Sequence, residues 1–550
     1  MKLDKLWVSE FKNLKNITID FDQNELVTVI IGWNGAGKSN VIEALVIIFR
    51  DLDLHYPPAF SYDLEYVCRG RKIYIEARVN DDKKDRYKIK CHPINKPNES
   101  KNLSNKEFFE DGDKKYLPTN VFGYYSGPSD RLATHFYEHQ RRFREQLIYP
   151  EKFNLNENTL PLRPLFYAQK VHSNFVLLAF FLSEDEKIKK FLKEKLFIDG
   201  LESVMFVISK PDWKSSEGDP RFWNAKGVVQ PFLERLYEAS LAPMDIKFTL
   251  PHPLKKNGEN VDALFLFLKD LDALKNVGNH TSDKDFFKLL ESIYFSSLIH
   301  EVQIRVKVNE KNGTNELLTF RELSEGEQQL ITVLGLLRFT RDDESLFLLD
   351  EPDTHLNPAW SMEYINYLEE VAGFNLDRKE SQQNDGSKQK IENSHIVLAT
   401  HDPVVISTLK REQIQIMKRD ENTLEVYAHS PLYDPKGMGF SGVLMSDMFG
   451  LRSDLDPKTL EKLDEHAILL ANENRTAEEE VRFGELKEEL DMLGFLEAYS
   501  DPYFSAFVKA WGRSERIDQY HQVSLTESTR DELSKMSDDI LSELKREEGN

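Results

Sequence analysis

Gly32-Trp33-Asn34-Gly35-Ala36-Gly37-Lys38-Ser39 fits G-x-x-x-x-G-K-[ST], a spacing suited to a polyphosphate. Glycines let successive backbone N–H groups wrap phosphate oxygens, and the positive end of the helix that follows adds to them. Lys38 is placed to reach the β and γ phosphates and the Ser39 hydroxyl to ligate magnesium, and Asn40 completes the run Gly32–Asn40 expected to bind the nucleotide. Residue usage alone produces the bare pattern in roughly one chain of this length in fifty. Its context raises its value: a buried-strand pattern precedes it and an apolar-rich helix follows.

A phosphate loop needs a second magnesium anchor and a group that orients the attacking water. The run Ser345-Leu346-Phe347-Leu348-Leu349-Asp350-Glu351 supplies both. Four apolar residues bury a strand and deliver Asp350 at its carboxyl end as a metal ligand, with Glu351 next to it as a candidate general base. Further on, IVLAT leads into His401, which can hydrogen-bond a γ-phosphate or hold water in line; alone it also reads as a structural histidine. The stretch FRELSEGEQQ, Phe320–Gln329, admits two readings. Ser324 and Glu327 have the spacing of a capping box. Gly326, though, costs about 1 kcal/mol against alanine in a helix. Glycine there suggests close approach of another group, and a serine hydroxyl beside free N–H groups suits a phosphate oxygen.

These groups need strands and helices to hold them. KLWVSEF, ITIDF and VTVII read as strands and Ser39–Phe49 as a helix, with further strands at KIYIEARV, RYKIK and VFGYYSG. Between about Asp130 and Ser297 the periodicity is helical, without sustained heptads. Strands return at VQIRVKV, a helix opens at Ser324, and SLFLLD follows. A polar linker, Lys379–Ser394, precedes IVLAT, and EEEVRFGELKEELDMLGFLEAY is the clearest amphipathic helix of the acidic end. The boundaries expected are 1–128 and 299–450 for the two lobes of one α/β unit, 129–298 for a mainly helical insertion, and 451–550 for an acidic helical region that docks a partner.

The formal charge of −22 argues against a protein that coats nucleic acid. More than half of it lies in residues 451–550, where 25 acids face 13 lysines and arginines, a net of 13 − 25 = −12. The lysine-rich segment Asp81–Lys106 is a candidate basic groove, or a solvated loop around a short strand. The longest wholly apolar stretch, Phe175–Leu182, is far too short to span a bilayer. The polar start MKLDKLWVSEF carries no export signal, so the expectation is a cytoplasmic protein with no membrane partner. Cys68 and Cys91 lack metal-site spacing and read as buried or idle thiols.

Taken in order, the set resembles the ABC-type ATPases of the SMC, RecF and OLD clan. The match runs through a Walker A motif at Gly32–Ser39, a signature LSEGEQQ at Leu323–Gln329, Walker B at Asp350, a catalytic glutamate at Glu351 and a switch histidine at His401. EPDTHLNP, Glu351–Pro358, is similar to the D-loop region, with Asn357 where many members carry aspartate. FKNLKNITIDF is typical of the RecF and OLD branches. No Q-loop glutamine is placed, although YYSG at Tyr124–Gly127 occupies a related region.

Within the clan the chain most resembles the PtuA family, the ATPases of Septu-type and some retron-associated anti-phage defence systems. That resemblance implies an α/β ABC-type P-loop NTPase head using ATP and Mg2+, with Lys38, Glu351 and His401 catalytic. It implies a homodimer or higher homo-oligomer in which ATP on one Walker A is capped by the partner's Ser324, Gly326 and Glu327. It also implies an HNH nuclease partner (PtuB) and, in retron members, a reverse transcriptase with its msDNA, so that nucleic acid is met through the complex. No convincing Glu plus DxD arrangement follows His401, so no nuclease of its own is expected. The alternatives are a RecF-like DNA-repair clamp and a nucleotide-switched scaffold with little turnover. An ABC transporter subunit is disfavoured by the long insertion.

Overall fold

The computed structural model describes residues 1–495 except 22–24, 83–84, 111–114, 214–217, 253–254, 310–314, 341–343, 371–393, 421–422, 424 and 473, together with 531, 534–535 and 537–538. The linker expected over Lys379–Ser394, up to residue 393, and most of the tail beyond Phe495 lie outside the described residues. Two compact units form: Met1–Val405 with Glu412–Ser430, and Ile406–Arg411 with the chain from Pro431 onward. The second unit thus begins some way ahead of the rise in acidity at Leu451.

Along the chain, β1 (Lys2–Phe11), β2 (Leu14–Asp20) and β3 (Val27–Gly32) lead into α1 (Lys38–Leu54). Then come β4 (Tyr62–Cys68), β5 (Arg71–Ala77), β6 (Tyr87–Pro93), β7 (Lys101–Leu103), α2 (Asn105–Phe109) and β8 (Val121–Tyr125). The next stretch holds α3 (Tyr137–Ile148), β9 (Leu165–Tyr167), α4 (Val171–Leu182), α5 (Glu186–Lys195), β10 (Ile198–Ser209), α6 (Gln230–Ala239), β11 (Met244–His252), β12 (Lys255–Leu268), α7 (Leu271–Gly278) and α8 (Asp283–Phe295). β13 (Ile299–Asn309), β14 (Asn315–Thr319), α9 (Glu325–Thr340), β15 (Leu346–Asp350), α10 (Pro358–Glu370), β16 (His395–Ala399), α11 (Pro403–Ile406), β17 (Ile414–Arg419) and β18 (Val426–His429) follow. The chain continues with α12 (Gly439–Met445), α13 (Pro457–Ala471) and α14 (Ala477–Met492).

Among the described residues the strands form three sheets. The seven-stranded one runs β18-β17-β3-β16-β15-β8-β9, parallel except at β18. Its strands β15 and β16 are buried at every position, as near-continuous apolar runs in a two-sided parallel sheet must be. Register then fixes the site. Asp350 lies opposite Ala399 and Tyr125, and Ala399 opposite Ile30. The carboxyl ends of β3, β8, β15 and β16 therefore share one edge.

The second sheet, β2-β1-β4-β5-β6-β7, is antiparallel. β4 alternates buried and half-buried residues, so one face turns inward. α1 lies in the core shared by the two sheets, and its Val41, Ile42, Leu45, Val46, Ile48 and Phe49 are almost wholly buried. Each such side chain contributes about 2 kcal/mol on leaving water. This anchors the helix whose first turn carries the phosphate loop. His395 clasps the sheets together: Leu3 N–H donates to Nδ1 at 3.0 Å, so Nε2 carries the proton and donates to Thr28 Oγ1 at 2.9 Å.

The stretch 129–298 carries the expected helices α3 to α8, but it also holds three long strands. β10, β11 and β12 join β13 and β14 in a five-stranded antiparallel sheet, β11-β12-β10-β13-β14. The insertion is thus not closed before residue 299; its sheet runs on to Thr319, directly ahead of the signature stretch. α4 packs on α9, where a Cβ on Gly335 would stand 2.0 Å from Val176 Cγ1.

In the second unit α13 and α14 pair through His466 stacked on Phe483 at 4.9 Å and through Arg482 with Glu465 at 2.8 Å. Asp456 caps α13, and a Thr476–Glu479 capping box starts α14. Leu432, Tyr433, Phe440 and Met492 are exposed there.

Candidate nucleotide site

The phosphate loop leaves β3 at Gly32 and enters α1 at Lys38. Gly32 has φ +149° and a Cβ there would meet Met417 O at 2.3 Å; Gly37 has φ +99° and a Cβ would meet Asn13 Oδ1 at 2.9 Å. Side chains are therefore refused at both points for conformational and steric reasons alike. Trp33 is exposed and Ala36 is buried. Asn13, in the turn between β1 and β2, donates to Gly35 O at 2.8 Å and accepts from Asn40 Nδ2 at 2.6 Å. Lys38 Nζ donates to Gly32 O at 2.7 Å. Burial lowers the Lys38 pKa, against the pull of Glu351 and Asp350.

Two strands away, Ser39 Oγ donates to Asp350 Oδ1 at 3.0 Å. Burial raises the Asp350 carboxyl to about 6, while the Ser39 bond and the Arg131 charge oppose the rise. A hydroxyl and a carboxylate side by side are the hard oxygen donors that magnesium takes, and a loop of backbone N–H groups closed to side chains fits a polyphosphate. The residues present fit ATP with magnesium.

Glu351 has φ +53°, a conformation rare outside glycine. Its N–H donates to Ala399 O at 2.8 Å, and its Oε1 lies 3.4 Å from His401 Nδ1. That histidine bond holds the Glu351 carboxyl below its ordinary range and in turn raises the His401 pKa. Beneath them, Thr400 Oγ1 donates to the buried carboxylate of Asp353 at 2.5 Å, and burial raises Asp353 to about 6. Lys38, Ser39, Asp350, Glu351 and His401 are thus brought to one sheet edge.

Ser324 and Glu327 are arranged differently. Ser324 Oγ and N–H both donate to Glu327 Oε2 at 2.8 Å, and Glu327 N–H donates back to Ser324 Oγ at 3.3 Å. Ser324 is exposed, and among the described residues no hydrogen bond joins it to Gly32–Asn40. The group that closes on Gly326 is the carbonyl of His355, 2.4 Å from where a Cβ would be. The glycine therefore has a cause inside its own chain. Asn357 caps α10, its Oδ1 accepting from Trp360 N–H at 3.0 Å, a role that asparagine fills as well as aspartate.

Several participants went unread in the sequence. Arg131 donates to Asn40 Oδ1 at 3.1 Å and pairs with Glu43 at 3.3 Å. Burial works against the Glu43 charge, yet bonds from His135 and Lys12 and the Arg131 charge hold its pKa below the ordinary value. YYSG lies beside Walker B: Ser126 N–H donates to Asp350 O at 3.2 Å. In the lysine-rich segment, Lys88 lies 3.5 Å from Glu76 and Lys96 lies 2.8 Å from Glu99, so part of its positive charge is met locally. Cys68 and Cys91 are buried free thiols, and burial pushes Cys68 up to about 12. Among the described residues no helix is long and apolar enough to cross a membrane.

Known proteins are similar to this chain in part. The Septu protein PtuA of Bacillus mycoides (strain KBAB4) is 26% identical over 207 residues, 36% of this chain, and the match spans only 26% of that relative's length. The Retron Vc95 probable ATPase of Vibrio cholerae serotype O1 biovar El Tor is 20% identical over 468 residues, covering 81% of this chain and 78% of that one. Among solved structures, the SmcHead bound to the C-winged helix domain of ScpA matches 78% of this chain and 98% of its own at 14% identity, with a TM-score of 0.33. The family model described as "AAA domain, putative AbiEii toxin, Type IV TA system" matches residues 27–407. With that match over most of its length, the chain belongs to this AAA-domain family and is an ABC-type P-loop ATPase resembling PtuA.

Proposed function

We propose that the chain is the magnesium-dependent ATPase of an anti-phage defence complex, closing head to tail with a second copy around ATP and so controlling an associated HNH nuclease. The observation that carries this reading is the convergence of Lys38, Ser39, Asp350, Glu351 and His401 at one sheet edge from three separate segments of the chain. Ser39 and Asp350 are the residues that would hold magnesium, which when bound neutralises charge on the phosphates. Glu351, held ionised by His401, takes the role of general base toward water. His401, half exposed above it, senses the γ-phosphate.

Head-to-tail closure is supported by Ser324. Its hydroxyl and the start of α9 stand exposed and unbonded to the chain's own phosphate loop, free to meet the phosphates held by another copy. The defence assignment draws on the Septu and retron relatives. For the nuclease partner, and in a retron setting a reverse transcriptase with its msDNA, the docking region is the acidic helical end, where exposed apolar side chains sit among carboxylates. A cytoplasmic site of action goes with these partners.

The test begins with Glu351→Gln. Light scattering should give the mass of a dimer or larger assembly with ATP and magnesium, and hydrolysis should stop. A monomer under those conditions, or undiminished turnover, defeats the reading. Deleting Leu490–Asn550 should abolish co-purification with a co-expressed HNH nuclease and leave ATP binding intact; retained pairing removes the docking role.

A further inference from the structure

Gln329 lies one turn inside α9 and is almost fully buried. Its amide Oε1 accepts from His355 N–H at 3.1 Å, and its Nε2 points to Glu351 O at 3.4 Å. The Glu351 carbonyl also accepts from Thr354 Oγ1 at 2.9 Å, and Thr354 in turn meets Ser126 Oγ at 3.1 Å. Three elements, α9, the segment after β15 and the segment after β8, therefore meet around one carbonyl. That carbonyl belongs to a residue held at positive φ, a conformation that persists only when its surroundings over-determine it.

We propose that Gln329 is a positioning residue that ties the signature helix to the Glu351 carboxylate. This deepens the reading of Glu351 as general base and rests on it. Both ends of the Gln329 amide grip the segment Glu351–His355, and Gly326, one turn earlier, lets the His355 carbonyl close against the helix. A displacement of α9 at Ser324, such as contact with a second copy would produce, is passed through a rigid turn to the backbone that aims Glu351. The helix start that meets a neighbour's phosphates and the base that acts on the chain's own nucleotide are thereby one mechanical unit.

Gln329→Leu keeps the volume and removes both bonds. The expected result is a fall in kcat of roughly 10- to 100-fold, with the dissociation constant for a non-hydrolysable ATP analogue within about twofold of the parent, because the amide touches no residue of the phosphate loop. Combined with Glu351→Gln, it should add no further loss in single-turnover hydrolysis, since two groups that act as a unit are not additive. Loss of analogue binding in step with kcat, or a full additional loss in the double variant, overturns the proposal and leaves Gln329 a packing residue. Should Gln329→Leu not fold, Thr354→Val, at an exposed site, loses the other donor to the Glu351 carbonyl and should lower kcat, with Thr354→Ser restoring it; an unchanged kcat in Thr354→Val then overturns the proposal. Turnover at the parent rate in Glu351→Gln alone would sink the general-base reading instead, so the two failures are told apart.

Discussion

Ser324 and Glu327 cap each other, the serine hydroxyl and N–H both bonding to Glu327 Oε2 at 2.8 Å while the glutamate N–H returns to the serine oxygen. A local cap and an exposed phosphate ligand are compatible roles, because the cap uses the Glu327 N–H and leaves the rest of the helix start open. They are separable by substitution. Ser324→Asn preserves N-cap quality, whereas Ser324→Ala costs about 1 kcal/mol of stability. Both should reduce hydrolysis severalfold or more, while only the alanine variant lowers the urea midpoint. If Ser324→Asn hydrolyses ATP at the parent rate, the stretch is a helix cap and nothing more.

Gly326→Ala sets two terms against each other. Alanine gains about 1 kcal/mol of helix propensity, but its Cβ would sit 2.4 Å from the His355 carbonyl, a backbone atom that cannot swing aside as a side-chain tip would. Overpacking of this kind costs about 1–3 kcal/mol, so the net change should be destabilising or near neutral, with hydrolysis lowered because the Glu351–His355 segment is pushed. Equilibrium urea unfolding and steady-state kinetics read the two effects. A more stable variant with full activity would mean that the contact is slack.

Asp350 should make magnesium binding pH-dependent. Its carboxyl is raised to about 6 by burial, so below that value a proton competes with the metal for the same oxygens. The magnesium concentration needed for half-maximal binding of an ATP analogue should be flat above about pH 7 and rise about tenfold per unit well below pH 6. Asp350→Asn should bind magnesium weakly at every pH. A flat profile down to pH 5 in the parent contradicts the assignment.

The His401–Glu351 pair makes the opposite kind of claim. The His401 pKa is raised in the folded state, so its contribution to stability is complete below the ordinary value of 6.5 and disappears as pH climbs through the raised one. On the acid side it is lost as pH falls through the lowered Glu351 value. The melting-temperature difference between the parent and His401→Asn should therefore be widest near pH 5.5–6 and shrink toward pH 9, as thermal scans across that range would show. A difference that grows toward alkaline pH would rule out the bond.

What could be read ahead of the fold follows from range. VTVII, LFLLD and IVLAT are apolar without interruption, so buried parallel strands were legible, and with them the placement of Lys38, Asp350 and His401 at one edge. β10 and β12 were missed because Val204–Ile208 and Leu264–Leu268 are short apolar runs, in which helix and strand look alike without their partners. Asn13, Arg131 and Gln329 could not be assigned roles for a different reason. Each is an ordinary polar residue locally, and its role exists only where Gly35, Asn40 or Glu351 has been brought beside it from elsewhere in the chain.

His395 joins Leu3 and Thr28 across almost four hundred residues, and β16 enters the sheet between β3 and β15. A growing chain on the ribosome therefore carries its phosphate loop with the neighbouring strand positions vacant until β16 and β17 have been made. The central strand arrives only after β15 is already made. High-separation pairings of this kind fold late and slowly, so the nascent protein should remain unable to grip nucleotide until about residue 420 has cleared the exit tunnel. The order of synthesis then delays completion of this site until long after the phosphate loop itself has emerged.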